Sequence, residues 1–308
     1  GTLYHEAAER FTHAVTALPE FPEVSVEVCD KLMDEAVSPL IDAWRESPMG
    51  ESRRGEAVAR RIRRTAKRTA RNIVSQYADS SFRPAQMEFV FGQNGLSPIV
   101  LELGDGIFVY LQGRIDRVDV MTGGGLRVID YKSGSRKFDP TLVYWGLQLQ
   151  LLLYLAAALA RVPGSHAAGF FYCRIADPTV QTESRIREEV ERQIAKKLAL
   201  SGISLSDVTI LRAQGGQQAA MVTKDGKPNG RFAASMVDEA GMEKLLTFAR
   251  NKAAALADEI YAGEIDDSPV ERETFNACQN CEYSAICVFD PLRKPRRRLT
   301  AKRLEDLT

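Results

Sequence analysis

Apolar positions in the first 78 residues recur at helical spacing, separated by charged ones. The pattern predicts a first helix capped by Thr2 and running to Leu18, stopped by Pro19 and Pro22. A second helix covers roughly residues 24–44. A third carries Val58, Ile62, Ala66, Ile73 and Val74 on one face. The period then changes. Segments 87–91, 99–103, 107–120 and 126–131 are rich in β-branched and aromatic residues, with turn residues between them, and predict strands. Thr122-Gly123-Gly124-Gly125 separates the last two and predicts a hairpin. Residues 142–160 read as one buried helix, 168–175 as another strand, 183–200 as a charged amphipathic helix and 236–262 as a long helix. The stretch 215–231, rich in Gly, Gln and Lys, has no clear period. Helices on either side of one mixed sheet make an α/β fold. The expected organisation is a single domain over 1–308: a helical part (1–80), a sheet core (81–175), an insertion (176–233), and a C-terminal part with a long helix, a cysteine triplet and a basic tail (234–308).

Composition removes several classes of protein. Hydrophobic residues make up 44% and the net charge is zero, so disorder is excluded as the main state. The richest apolar stretch, residues 147–160, is shorter than the ~18 residues of a membrane span and contains Gln148 and Gln150. Five cysteines, an odd number, do not suit a secreted disulfide framework. A cytoplasmic protein without a membrane partner is expected. The chain opens on Gly1 without a methionine, which suggests a fragment of a longer polypeptide. Neutrality hides local bias: nine basic residues lie between Arg53 and Arg71 and seven between Arg293 and Arg303. Both clusters are candidate contacts for a nucleic-acid backbone.

The sharpest chemical feature is Asp130-Tyr131-Lys132, preceded by Gly113-Arg114-Ile115-Asp116. On a strand, Asp130 and Lys132 share a face. A turn centred on Gly123 sets Asp116 opposite Asp130, because each is seven residues from it. Facing carboxylates repel, and a divalent cation removes the penalty. Mg²⁺ suits such a pair, since it accepts one or two carboxylates and keeps room for phosphate oxygens. Metal-assisted phosphodiester hydrolysis is the matching chemistry, with Lys132 orienting water. Glu88, placed just before the sheet, is a minor candidate for the same site.

Cys278-x-x-Cys281-x5-Cys287 sits in a polar, irregular segment and suggests a metal or an iron–sulfur cluster. Three thiols complete neither a structural zinc site nor a four-cysteine cluster. The other cysteines, Cys29 and Cys173, read as small core residues.

Gly113-Arg114-Ile115-Asp116, then Val128-Ile129-Asp130-Tyr131-Lys132-Ser133-Gly134, then Gln150-Leu151-Leu152-Leu153-Tyr154, with Gly1-Thr2-Leu3-Tyr4-His5 at the start, resemble the RecB-like branch of the PD-(D/E)XK nucleases. The resemblance implies a restriction-endonuclease-like mixed sheet flanked by helices. It implies metal ligation by His5, Asp116, Asp130 and the Tyr131 carbonyl, and catalytic roles for Asp116, Asp130, Lys132, Gln150 and Tyr154. The cysteine triplet, with Tyr144-Trp145-Gly146-Leu147-Gln148 and Ile175-Ala176-Asp177-Pro178, is similar to the nuclease portion of the B subunits of AddAB-type helicase–nucleases. That likeness implies a 4Fe–4S cluster on Cys278, Cys281 and Cys287, its fourth cysteine upstream of Gly1. It also implies single-stranded DNA at duplex ends as substrate, recombinational repair as the setting, and an AddA-like ATP-dependent partner. No G-x-x-x-x-G-K-[ST] pattern occurs in the chain, so ATP hydrolysis would fall to that partner. A free-standing CRISPR-associated nuclease and a non-catalytic DNA-binding or zinc-ribbon module are the alternatives.

Overall fold

The computed structural model describes every residue except Gly1, Met49, Asn94, Gly95, 182–185 and 273–274. The glycine of the G-x-x-x-H string and the start of the charged helix expected from 183 therefore lie outside the described residues.

Three helices open the chain: α1 (Thr2–Thr16), α2 (Val26–Arg45) and α3 (Arg53–Ala78). Thr2 lies inside the first turn of α1 rather than capping it. Ser25 and Ser52 cap α2 and α3, each hydroxyl accepting a backbone N–H from the first turn. Strand β1 (Phe82–Phe91) follows, then the small hairpin β2 (Ile99–Glu102) and β3 (Phe108–Leu111). The main hairpin is β4 (Gly113–Met121) and β5 (Gly125–Lys132). Gln112 interrupts the long strand expected over 107–120, so its two halves belong to different sheets.

The helix expected over 142–160 is two helices, α4 (Pro140–Tyr144) and α5 (Gln150–Arg161). The break falls at Gly146, whose φ of +79° ends α4. The apolar pattern alone runs on across the break, because both helices bury residues against the same core, and Gly146 is its one local mark. Beyond them come β6 (His166–Arg174), α6 (Arg187–Leu198), β7 (Ser201–Leu205), α7 (Val208–Gln214), the single turn α8 (Gly216–Ala219) and β8 (Met236–Val237). Asp238 caps α9 (Glu239–Tyr261), so the first two residues expected in that helix are strand instead. Short strands β9 (Val270–Arg272), β10 (Phe275–Asn276) and β11 (Arg297–Arg298) form a small C-terminal sheet.

The main sheet has the order β1-β4-β5-β6-β7-β8. Only β5–β6 and β7–β8 are parallel. The β5–β6 crossover is made by α4 and α5, as parallel neighbours require a helical connection. Segment 176–233 supplies β7, which pairs antiparallel with β6 and extends the sheet. One face carries Ile129, Tyr131, Phe171 and Cys173 against α1–α3. The other carries Leu126, Val128, Phe170 and Tyr172 against α5 and α9. Each layer buries its apolar stripe on one side of the sheet, which holds the fold together.

A fully buried polar cluster lies under the α1–α3 layer. Arg117 and Arg127 both meet Asp119, at 3.2 and 2.9 Å. Tyr77 of α3 donates its hydroxyl to the same carboxylate at 2.8 Å, and Arg127 donates to Gln214 of α7 at 2.8 Å. Arg127 also lies over the Phe82 ring, 4.5 Å from its centroid.

Candidate active site

The hairpin register places the carboxylates. Arg117 pairs with Ile129, Val118 with Val128 and Asp119 with Arg127. Carried one residue on, Asp116 stands opposite Asp130, as the turn centred on Gly123 predicts. On the other side of β4, Met87 pairs with Arg117 and Phe89 with Ile115, which brings Glu88 level with Asp116. Three neighbouring strands thus present a row of acids: Glu88, Asp116 and Asp130.

Glu88 is an integral part of this row, inside β1 rather than ahead of the sheet. Its φ of +47° is rare for a residue with a side chain. Ligand atoms of His5, Glu88 and Asp116 all lie within 4.8 Å of one another. The signal for Glu88 in the sequence was weak, because it sits 28 residues before Asp116 in a strand that lacks clean alternation.

The other side chains converge on the row. His5, from α1, has its Nδ1 3.1 Å from Asp116 Oδ1. The Tyr131 backbone N–H donates to Asp116 Oδ2 at 2.6 Å. Lys132 Nζ lies 2.6 Å from Asp130 Oδ2 and donates to Gln150 Oε1 at 3.2 Å. Gln150 in turn donates to the Tyr154 hydroxyl at 2.8 Å. These two are the first and fifth residues of α5, one turn apart on one face. Gly113 allows this approach: a Cβ there would come within 2.8 Å of the Phe91 ring and 3.3 Å of Tyr154. The structure thus brings together His5, Asp116, Asp130, Tyr131, Lys132, Gln150 and Tyr154, and adds Glu88.

Electrostatics at the row are those of crowded, buried carboxylates. Asp130 is 2% exposed, and burial followed by repulsion from Asp116 pushes its carboxyl up to about 6. Burial and Asp116 likewise raise Glu88, which also pairs with Arg114 at 2.9 Å. His5 is raised chiefly by its hydrogen bond with Asp116. Asp130 Oδ2 has no well-aligned hydrogen-bond donor despite its burial. Buried oxygens with spare lone pairs and mutually repelling charges form a donor set that fits a hard divalent cation.

The cysteine triplet lies apart, in the C-terminal segment. Cys278 is half-buried, Cys281 and Cys287 are exposed, and all three thiols are free. The segment turns tightly: the Cys278 N–H donates to Asn276 Oδ1, and the Cys287 N–H donates to the Tyr283 carbonyl. Cys29 and Cys173 are buried in the helix-side core, and the Cys173 sulfur accepts from Gln76 at 3.4 Å. The donor set offered to a cluster is therefore three thiols.

The basic clusters look different in three dimensions. Among the described residues, six of the nine cations of α3 are ion-paired. Arg60 meets Glu56, Arg63 and Lys67 meet Asp34, Arg64 meets Asp177, Arg68 meets Glu191 and Asp177, and Arg71 meets Asp30. In the tail, Lys294 meets Asp266 and Asp267, and Arg296 meets Glu271. Most of these acids come from α2, α6 and loops distant in sequence, so linear charge density overstated what these clusters offer to DNA.

A family model described as the PD-(D/E)XK nuclease superfamily matches residues 1–288. The chain belongs to that superfamily. Among individual proteins, it is similar to the B subunit of the ATP-dependent helicase/deoxyribonuclease of Alkaliphilus metalliredigens, 32% identical over 94% of this chain and 27% of that protein. The protein of the same name from Clostridium tetani is 33% identical, again over 94% and 27%. That from Caldanaerobacter subterraneus subsp. tengcongensis is 35% identical over 87% of this chain and 24% of its own length. The chain thus spans about a quarter of the length of the curated relatives it matches.

Proposed function

We propose that this chain is the nuclease part of a bacterial helicase–deoxyribonuclease and hydrolyses phosphodiester bonds of single-stranded DNA at duplex ends during recombinational repair. An AddA-like ATP-dependent subunit is the proposed partner, and the bacterial cytoplasm the setting. Among the described residues no helix is long and apolar enough to cross a membrane. The single observation that carries the reading is the buried pair Asp116 and Asp130 on adjacent strands, with Lys132 against Asp130.

His5, Asp116, Asp130 and the Tyr131 carbonyl are the proposed ligands of Mg²⁺, with Glu88 beside them. When bound, the ion supplies Lewis-acid polarisation of the phosphoryl group and a more acidic water. The remaining work falls to the chain. Asp116, fixed by the Tyr131 N–H and by His5, holds its carboxylate in one orientation. Lys132, held between Asp130 and Gln150, presents its ammonium to the attacking water and to charge developing on the phosphoryl oxygens. Tyr154 fixes Gln150 and so acts through Lys132.

Asp130→Ala or Lys132→Ala is expected to lower Mg²⁺-dependent cleavage of single-stranded DNA by about a hundredfold or more, with DNA binding retained. Full activity in Asp130→Ala would overturn the assignment. The proposed 4Fe–4S cluster would sit on Cys278, Cys281 and Cys287 with a fourth ligand from elsewhere. It is a structural group, since phosphodiester hydrolysis moves no electrons. Metal analysis and visible absorbance test it: one zinc and no iron would replace the cluster by a zinc ribbon.

A further inference from the structure

A large open groove of about 2190 Å³ reaches Tyr172 and Arg174, the β6 partners of Asp130 and Lys132. That is larger than the roughly 300–1,000 Å³ typical of small-molecule sites, and suits a polymer. It begins at the C-terminal ends of β5 and β6, the end at which open α/β sheets with parallel strands receive ligands. From there it passes the loop after β5, the start of β7 and the N-terminal turns of α9, down to the C-terminal residues.

Its cations differ from those of α3. Eight cations line it, and among the described residues Arg192 is the one in an ion pair, with Glu189. Arg136, Lys137, Arg174, Lys196, Lys244 and Arg303 make none, whereas most of the α3 cations do. Asp177 and Asp238, two acids of the lining, are already engaged: Asp177 pairs with Arg64, and Asp238 caps α9. Phe138 and Phe232 add ring faces on which bases can stack.

Arg174 is the informative member. It pairs with Lys132 in the parallel β5–β6 register, as Tyr172 pairs with Asp130. Partners in this register share a sheet face, about 4.8 Å apart. Arg174 is half-buried, and its Nε is buried with no hydrogen-bond partner among the described residues. A desolvated donor on a cation without an acceptor is costly, and a phosphate offsets that cost in the planar geometry a guanidinium prefers. Arg136 stands close by, against the Tyr172 hydroxyl.

We propose that the DNA strand lies in this groove, and that Arg174, with Arg136 beside it, binds the backbone phosphate next to the one being hydrolysed. Arg174 is thus a positioning residue: it sets which phosphodiester arrives over Asp116, Asp130 and Lys132. This deepens the nuclease reading and rests on it.

The test measures single-stranded DNA affinity against salt, without Mg²⁺, and then cleavage with Mg²⁺. Each phosphate neutralised contributes about 0.7 to the slope of log affinity on log salt for single strands. Arg174→Ala is expected to lower the slope by about that amount and the affinity by roughly tenfold, while Arg174→Lys keeps the slope. DNA carrying one neutral methylphosphonate at successive positions gives the second readout. In the wild type, one position adjoining the cut weakens binding, and in Arg174→Ala the same substitution has no further effect. A purely structural arginine would not make that position silent. If Arg174→Ala fails to fold, Lys196→Ala with Lys244→Ala, both exposed, replaces it. An unchanged slope and methylphosphonate pattern in a folded variant overturns the groove path. A wild type that binds single strands with these dependences yet never cuts them overturns the nuclease reading alone.

Discussion

At Asp130, the carboxyl is held near 6 in the folded protein by burial and by Asp116, against 3.8 for the free side chain. Below 3.8 both states are protonated and the residue costs nothing. As pH rises through 6 the folded state must accept a buried charge, so a cost of about 2–3 kcal/mol is fully present at neutral pH. Asp130→Asn is therefore expected to raise the melting temperature of the metal-free protein at pH 8 and to leave it nearly unchanged at pH 4. A pH-independent effect on thermal melting would contradict the origin of the shift. Mg²⁺ should likewise stabilise the wild type at pH 8, and less as pH falls below 6, because the ligands must be unprotonated. Asp116, Asp130 and Lys132 were legible in the sequence because strand periodicity and a glycine turn fix their geometry locally. Glu88 was only a minor candidate there, since its place depends on the pairing of β1 with β4 and on an irregular backbone.

Among the elements, α5 has to start at Gln150 for its side chain to reach Lys132, and Gly146 makes that start possible. An alanine at 146 would be strained at φ +79° and would put its Cβ 2.7 Å from Leu256 on α9. Gly146→Ala should cost about 1–3 kcal/mol, read as a lower melting temperature, with cleavage falling more than DNA binding. The break at Gly146 was hidden because a glycine and two glutamines in a mostly apolar run fit a single buried helix as well, and β7 was missed because Ser-Gly-Ile-Ser-Leu is too short to show a period. On α3, Arg71 makes two hydrogen bonds to Asp30 and Arg68 reaches Glu191. Arg71→Ala should lower stability by about 1 kcal/mol and leave the salt dependence of DNA binding as it was. A reduced salt slope in that variant would return α3 to the DNA surface. Helix α3 was recognisable as a helix, but its acidic neighbours were not, since Asp30, Asp34, Asp177 and Glu191 are set against it only by folding.

Over the whole molecule, the sheet has an active face and a supporting face, and β4 and β5 serve both. Asp116 and Asp130 point toward the site, while Asp119 and Arg127 enter the buried cluster below. Asp119 there balances two guanidiniums that are wholly out of solvent. Asp119→Ala leaves both uncompensated and should cost at least about 3–5 kcal/mol, a large part of the 5–15 kcal/mol typical of a domain. Chemical denaturation should show loss of the folded state well before any effect on catalysis can be isolated. Combining Asp119→Ala with Arg127→Leu should recover part of the loss, because one of the stranded charges goes with it. The same arithmetic governs descent. A lineage cannot drift at Asp119, Arg117 or Arg127 one substitution at a time without passing through a poorly folded ancestor. Relatives that have abandoned this cluster should have changed it at two or more positions together, and the three should be inherited as a block.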